Sequence, residues 1–291
     1  MRGSKQQFGG RWTEEKLERV RKYLVAYATI MRKFKFKFAY IDAFAGTGYN
    51  AIEADDQEAA LFPEFNQEEK AFLDGSARIA LKVEPRFNKY IFIEKSEERV
   101  RELEKLKNEF PDKAADMSVV HEDANAHIQK LCRSPGWDTR RAVIFLDPFG
   151  MHVSWETMEA IAKTKAIDLW ILFPLGVGVN RLLRRDAKIS RAWREKLDDF
   201  FGTPDWFDAF YATRENHDLF GKSTKIEKTS NFDQISAFFV KRLKSIFPGV
   251  AEKPLELKNS VGNPLFLLCF AAGNEKGAKT AVKIAGDILK R

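Results

Sequence analysis

The residues of this 291-residue chain that could do chemistry stand at the ends of short apolar runs. FAYIDAF (38–44) passes directly into Ala45-Gly46-Thr47-Gly48. In an open α/β sheet, ligands sit beyond the carboxyl ends of the strands, and glycines there let the backbone approach them closely. The same Gly-x-Gly also makes a tight strand-to-helix turn. The next two runs end in acids. Glu94 closes KYIFIE, where a carboxylate can accept hydrogen bonds from ribose hydroxyls. Asp123 closes MSVVHED, where it can face an adenine amino group or cap the helix expected from 125. The fourth run, AVIFLDP, leads into Asp147-Pro148-Phe149-Gly150. A carboxylate followed by proline, with an aromatic beside it, suits a site that holds an amino group between acceptors and stacks a planar ring. It is also an ordinary turn sequence.

Other chemistries find less support. His121, His127, His152 and His217 have no ligand spacing to one another, so no metal site is expected. Cys132 and Cys269 lie far apart in apolar surroundings. They form neither a disulfide framework nor a metal pair, which is the usage of a reducing, cytoplasmic setting.

The elements that must position these residues alternate strand with helix. Five apolar runs (38–44, 89–94, 117–123, 142–148 and 168–174) are separated by helical pattern at 75–84, 96–110, 125–132 and 154–164, which predicts a parallel sheet. PLELKN (254–259) and PLFLLCFAAG (264–273) read as two more strands. Their short connection forces an antiparallel pair, and a last helix is expected around 276–290. Five parallel strands closed by an antiparallel hairpin make the Rossmann-like sheet of the class I S-adenosylmethionine (SAM) methyltransferases, so the topology favours SAM over NAD. Residues 12–33 place Leu17, Val20, Leu24 and Tyr27 at helical spacing, giving an amphipathic helix ahead of the core.

The expected division is a SAM-binding core at 12–174 and 254–291, interrupted by a helical substrate or partner lobe at 175–253, which is too long to be a loop. A second insertion, 49–74, carries eight acids between 50 and 74 and reads as a lid. The net charge is +7, and it is segregated: residues 1–41 hold 11 Lys/Arg against 3 Asp/Glu. Basicity of this kind suits a polyanionic partner. Within the lobe, Arg181, Arg184, Arg185, Lys188, Arg191 and Arg194 cluster near Trp193, Trp206 and Phe207, as phosphate contacts and base-stacking rings would, or as a solvated helix face would. No apolar run of about eighteen residues occurs, and MRGSKQQFGGRW lacks the apolar stretch of a signal peptide. A cytoplasmic protein without membrane association is therefore expected.

WTEEKLERVRKYLVAYATIMRKFKFKFAYIDAFAGTG, the GSARIAL segment, FLDPFGM and DLWILFPLGVGVNRLLRRD together resemble the three-Cys-motif partner (TcmP) family, over residues 12 to about 213. The resemblance implies a methyltransferase-like fold and a partner protein carrying a three-cysteine motif of radical-SAM type. Carried onto this chain, the SAM-binding pattern falls on Asp42, Gly46, Gly48, Glu94 and Asp123, with the adjoining Phe44 and Ala124. The reaction-site pattern falls on Asp147, Pro148 and Phe149 through Gly150. Asp-Pro-Phe-Gly departs from the Asp-Pro-Pro-Tyr of adenine amino methyltransferases and is similar to the motif of tRNA guanine amino dimethyltransferases. With no cysteine placed as a carbon-5 nucleophile, methylation of nitrogen is favoured. Three functions stay open: a SAM-dependent methyltransferase of an exocyclic amino group in nucleic acid (RNA or DNA), with Arg181, Arg184 and Arg185 on the substrate side; a non-catalytic SAM-binding partner of the three-Cys protein; and a methyltransferase of a protein or small molecule.

Overall fold

A computed structural model describes residues 11–34, 36–43, 75–148, 151–218, 221–259 and 261–290. The first five strands are β1 (Lys37–Ala43), β2 (Lys89–Glu94), β3 (Met117–His121), β4 (Arg140–Leu146) and β5 (Ile167–Phe173). They lie in the order β3-β2-β1-β4-β5, and all four of these pairings are parallel. β10 (Pro264–Ala272) runs antiparallel beside β5 and pairs in turn with β9 (Leu255–Lys258) and with the two-residue β8 (Gly249–Val250). This order, parallel with one antiparallel hairpin at the C-terminal end of the chain, is the class I SAM-methyltransferase sheet that the sequence predicts.

Helices cover both faces. On one lie α1 (Arg11–Met31), α2 (75–82), α3 (Glu97–Glu109) and α9 (Glu275–Leu289), and on the other α4 (Ala124–Arg133) and α5 (Trp155–Lys163). Neighbours in a strand therefore belong to opposite cores: Ile144 packs with α4 and α5, Phe145 with α1, and both are fully buried. Burial on two sides is why these strands are continuous apolar runs rather than alternating ones. The apolar stripe of α1 is Val20, Tyr23, Leu24, Tyr27 and Ala28, spaced three and four apart. Tyr23 anchors it by donating its hydroxyl to Asp168 Oδ2 at 2.8 Å. Burial pushes the Asp168 carboxyl up to about 6, and the Tyr23 and Gly273 hydrogen bonds oppose that rise.

The stretch 175–253 is not wholly helical. After a π-type turn at Leu175–Val179 it forms α6 (Arg191–Phe201), α7 (Trp206–Phe210), a two-stranded antiparallel ribbon of β6 (Tyr211–Asp218) and β7 (Gly221–Lys228), and α8 (Phe232–Lys244). Leu197, Phe200, Phe201, Trp206, Phe210 and Phe239 are buried in the same cluster as Ile41 and Leu169, so these helices extend the α4/α5 layer. Phe239 lies 4.3 Å from Phe173 of β5, centroid to centroid. Gly202 ends α6 at φ +66, where a Cβ would fall 2.1 Å from the Trp155 ring, so both backbone conformation and space demand glycine there.

Candidate functional site

Four strands end side by side at the carboxyl edge, and each delivers an acid. Along the sheet order β3-β2-β1-β4 these are Asp123, Glu94, Asp42 and Asp147. At about 4.8 Å between strands, the row spans roughly 15 Å. Asp123 lies two residues past the end of β3, is exposed, and caps α4 by accepting from the Ala126 amide at 3.0 Å. Ala124, beside it, is buried. Glu94 is 1% exposed, and its Oε1 accepts from the Ser96 amide at 2.5 Å.

Asp42 is equally buried. Its Oδ2 accepts from the Tyr40 hydroxyl at 2.9 Å and from Ser76 Oγ at 2.8 Å, while Oδ1 is buried with no hydrogen-bond partner among the described residues. Burial raises the carboxyl to about 7. The two hydroxyls and Lys16 pull it down, and the neighbouring Asp147 charge pushes it further up. An orphaned acceptor at that edge is an expensive arrangement, of about 1–3 kcal/mol, unless a donor arrives.

Asp147 follows β4, with its amide 3.5 Å from the Ala43 carbonyl, so the ends of β1 and β4 adjoin. Its Oδ2 is gripped at 2.8 Å by Lys16 Nζ from α1. Lys16 is only 1% exposed and lies 5.0 Å from the Trp12 ring centroid, and Trp12 stacks on Phe266 of β10. Thr13, one turn earlier on the same face, buries a hydroxyl with no partner among the described residues. The ammonium, two carboxylates, Tyr40 and Ser76 thus form one buried polar group where α1, β1, α2 and β4 meet.

Pro148 is buried. The loop beyond is strapped to α4 by Asn125, which donates to the His152 carbonyl at 2.8 Å and accepts from the Ser154 amide at 3.0 Å. Burial, aided by the Lys196 and Lys95 charges and opposed by Asp123, lowers the His152 imidazole to about 4. A half-buried, neutral histidine therefore faces the Asp123 end of the row.

Of the residues expected at the site, Asp42, Glu94, Asp123, Ala124, Asp147 and Pro148 all fall at this edge. Phe44, Gly46, Gly48, Phe149, Gly150 and the 49–74 insertion lie outside the described residues. Arg181, Arg184 and Arg185 are exposed and follow β5. Arg184 pairs with Asp186 at 3.2 Å, Arg191 pairs with Glu195 at 2.7 Å, and Arg194 lies 4.2 Å from the Phe207 ring centroid. Lys16, Tyr40, Ser76 and His152 are site residues that motif reading missed. Only for Lys16 was a signal present: it continues the Val20 and Leu24 stripe one turn back, on the helix's buried face. Among the described residues no cluster of metal-ligating side chains occurs, and no helix is long and apolar enough to cross a membrane.

No family model and no curated protein matches the chain. Among solved structures it is similar to a Legionella pneumophila protein of the DUF519 family, at 12% identity over 96% of this chain and 92% of that one, with a TM-score of 0.46. It is also similar to the plantazolicin methyltransferase BamL in complex with SAH, at 9% identity over 91% and 89% of the chains and a TM-score of 0.34. A third is the magnesium protoporphyrin IX methyltransferase of Synechocystis with bound SAM, at 10% identity over 78% and 85%, with a TM-score of 0.29. At such values the class of the protein, a Rossmann-like α/β fold of the class I methyltransferase type, rests on the chain's own strand order.

Proposed function

We propose that this protein is a SAM-dependent methyltransferase that acts on an exocyclic amino group in nucleic acid. The observation that carries the reading is the row of Asp123, Glu94, Asp42 and Asp147 across four adjacent strand ends, with Asp42 Oδ1 buried and without a partner among the described residues. A nucleoside joined to an amino acid offers donors for such a row: an adenine amino group toward Asp123, ribose hydroxyls toward Glu94, and an ammonium toward Asp42. The bound cofactor would supply an electrophilic methyl group.

Asp147 and the Pro148 carbonyl would accept hydrogen bonds from the substrate amine and aim its lone pair. With Oδ2 of Asp147 held by Lys16, Oδ1 is the oxygen that meets the substrate. The carboxylate also offsets the positive charge that grows on nitrogen before its proton leaves. Phe149 would shape the pocket, Phe44, Gly46 and Gly48 would let the backbone close on the cofactor, and Arg181, Arg184 and Arg185 would contact phosphates. A three-Cys-motif protein as partner belongs to the same proposal.

The test is methyl transfer from labelled SAM to pools of RNA, DNA and protein. Label in nucleic acid supports the reading. Label in protein alone overturns the substrate assignment, and tight SAM binding without transfer to any pool favours the non-catalytic partner.

A pH dependence follows from Asp42. Its carboxyl, raised to about 7 by burial, loses its proton as pH rises through that value. If Oδ1 then receives the cofactor's ammonium, SAM affinity should rise about tenfold between about pH 6 and pH 8, and Asp42→Asn should flatten the profile. Without ligand the sign reverses. A carboxyl raised above its unfolded value contributes stability below about pH 4 that is lost by about pH 7. Titration of both proteins across this range is decisive, and a pH-independent wild-type affinity would remove Asp42 from the cofactor site.

A further inference from the structure

Part of the basic excess of residues 1–41 lies away from the carboxylate row. The turn that ends α1 and the start of β1 carry Arg32, Lys33 and Lys37 to the opposite, amino-terminal edge of the sheet, about 20 Å away along β1. There they meet cations from the neighbouring strands. Lys37 is in register with Arg140 of β4, and Lys89 of β2 is in register with Ala39, two residues along β1 from Lys37. Alternation along the strands puts Lys37, Lys89 and Arg140 on one face of three adjacent strands. All five are exposed, and none forms an ion pair among the described residues. Several surface cations elsewhere are paired: Arg78 with Glu109, Arg86 with Asp116, Lys165 with Glu275, Arg184 with Asp186 and Arg191 with Glu195.

At the same end of the sheet, on its α1 face, lies aromatic surface. Phe34 is 54% exposed, one of three large apolar side chains so exposed among the described residues. Its ring centroid is 6.4 Å from that of Phe36, and Phe36 is covered by the Arg141 guanidinium at 4.0 Å. Arg141 is itself held by the carbonyls of Trp137, Asp138 and Arg140. Exposed cations and an exposed ring at one end of the sheet, the cations of β1, β2 and β4 on one face and the ring on the other, are the elements of a platform for a single strand that wraps this edge, where phosphates meet Lys/Arg and a base lies on an aromatic face. A membrane surface would need a broad apolar helix face, and a single ring does not provide one.

We infer that this amino-terminal edge is a second docking surface, which binds single-stranded nucleic acid through the phosphates at Arg32, Lys33, Lys37, Lys89 and Arg140 and a base on Phe34. As a route for substrate it rests on the proposed nucleic-acid reading, but as a binding surface it is measured without cofactor and without turnover. Loss of binding here leaves the transfer reading standing, and failure of transfer leaves this surface standing.

The test is fluorescence anisotropy of a labelled oligouridylate of about 15 nucleotides over a range of salt. Lys37→Glu with Arg140→Glu should weaken binding at least tenfold and lower the salt slope by about 1.4, two contacts at about 0.7 each. Phe34→Ala should weaken it about fivefold or more. Lys163→Glu with Lys244→Glu changes net charge equally but touches only surface pairs with Glu159 and Glu252, and should change affinity less than threefold. Unchanged urea-unfolding midpoints show that the variants are folded. The inference is overturned if wild type does not bind the oligonucleotide, if the edge variants bind like wild type, or if both charge-reversed pairs weaken binding equally. It is also overturned if vesicles of phosphatidylserine and phosphatidylcholine displace the oligonucleotide.

Discussion

Replacing Lys16 with methionine should destabilise the protein by about 3–5 kcal/mol, the usual result of removing one partner from a buried ion pair. The pair is unusually enclosed. Its side chains are 2% and 12% exposed, and Asp147 has a second carboxylate, Asp42, close enough to raise the latter's pKa. Without the ammonium, two acids share one dry site. Repair should come from the acid side: Asp147→Asn in the Lys16→Met background leaves a neutral pair of similar volume and should recover half or more of the loss. Urea unfolding of the single and double variants measures this coupling. A loss below about 1 kcal/mol for Lys16→Met would mean that the pair is screened like a surface bridge.

Asp147→Ala should reduce methyl transfer at least 100-fold while SAM affinity stays within a few-fold of wild type, since this carboxylate is placed against the acceptor and not the cofactor. The alanine variant also strands Lys16, so retained SAM binding doubles as the check that the edge is intact. Asp147→Asn separates two roles. It keeps an acceptor oxygen but not the charge, so partial activity points to orientation of the amine, and near-complete loss points to stabilisation of its developing charge. Full turnover by Asp147→Ala would reduce Asp-Pro-Phe-Gly to a turn.

The sheet was legible because burial on both faces makes each parallel strand a bounded apolar run. KYIFIE is β2 to the residue, and the other four parallel strands differ from their expected spans by one or two residues at an end. Glu94, Asp123 and Asp147 were legible because each stands at the end of such a run, whereas Asp42, inside FAYIDAF, came only from the family resemblance. The β6–β7 ribbon was not. YATRENHD and GKSTKIEK show no strict apolar alternation, because the ribbon's strands pair with each other, and among its described side chains only Tyr211 is buried in the core. Ser76, and the role of Lys16 despite its place on the apolar stripe, were hidden for a related reason. Their spacing belongs to helices, and their role appears only when α1 and α2 converge on Asp147 and Asp42. The basic excess near the N-terminus was read correctly as segregated, but which edge it occupies depends on the turn after α1.

The most direct measurement is calorimetric titration of SAM into the wild-type chain and Glu94→Ala. Saturable one-site binding by wild type is expected, with a loss of about 1.5–3 kcal/mol for Glu94→Ala, the range for hydrogen bonds to a charged group. A wild-type chain that takes up no SAM, or a Glu94→Ala variant that binds it as wild type does, would contradict the assignment of the carboxylate row as a cofactor site.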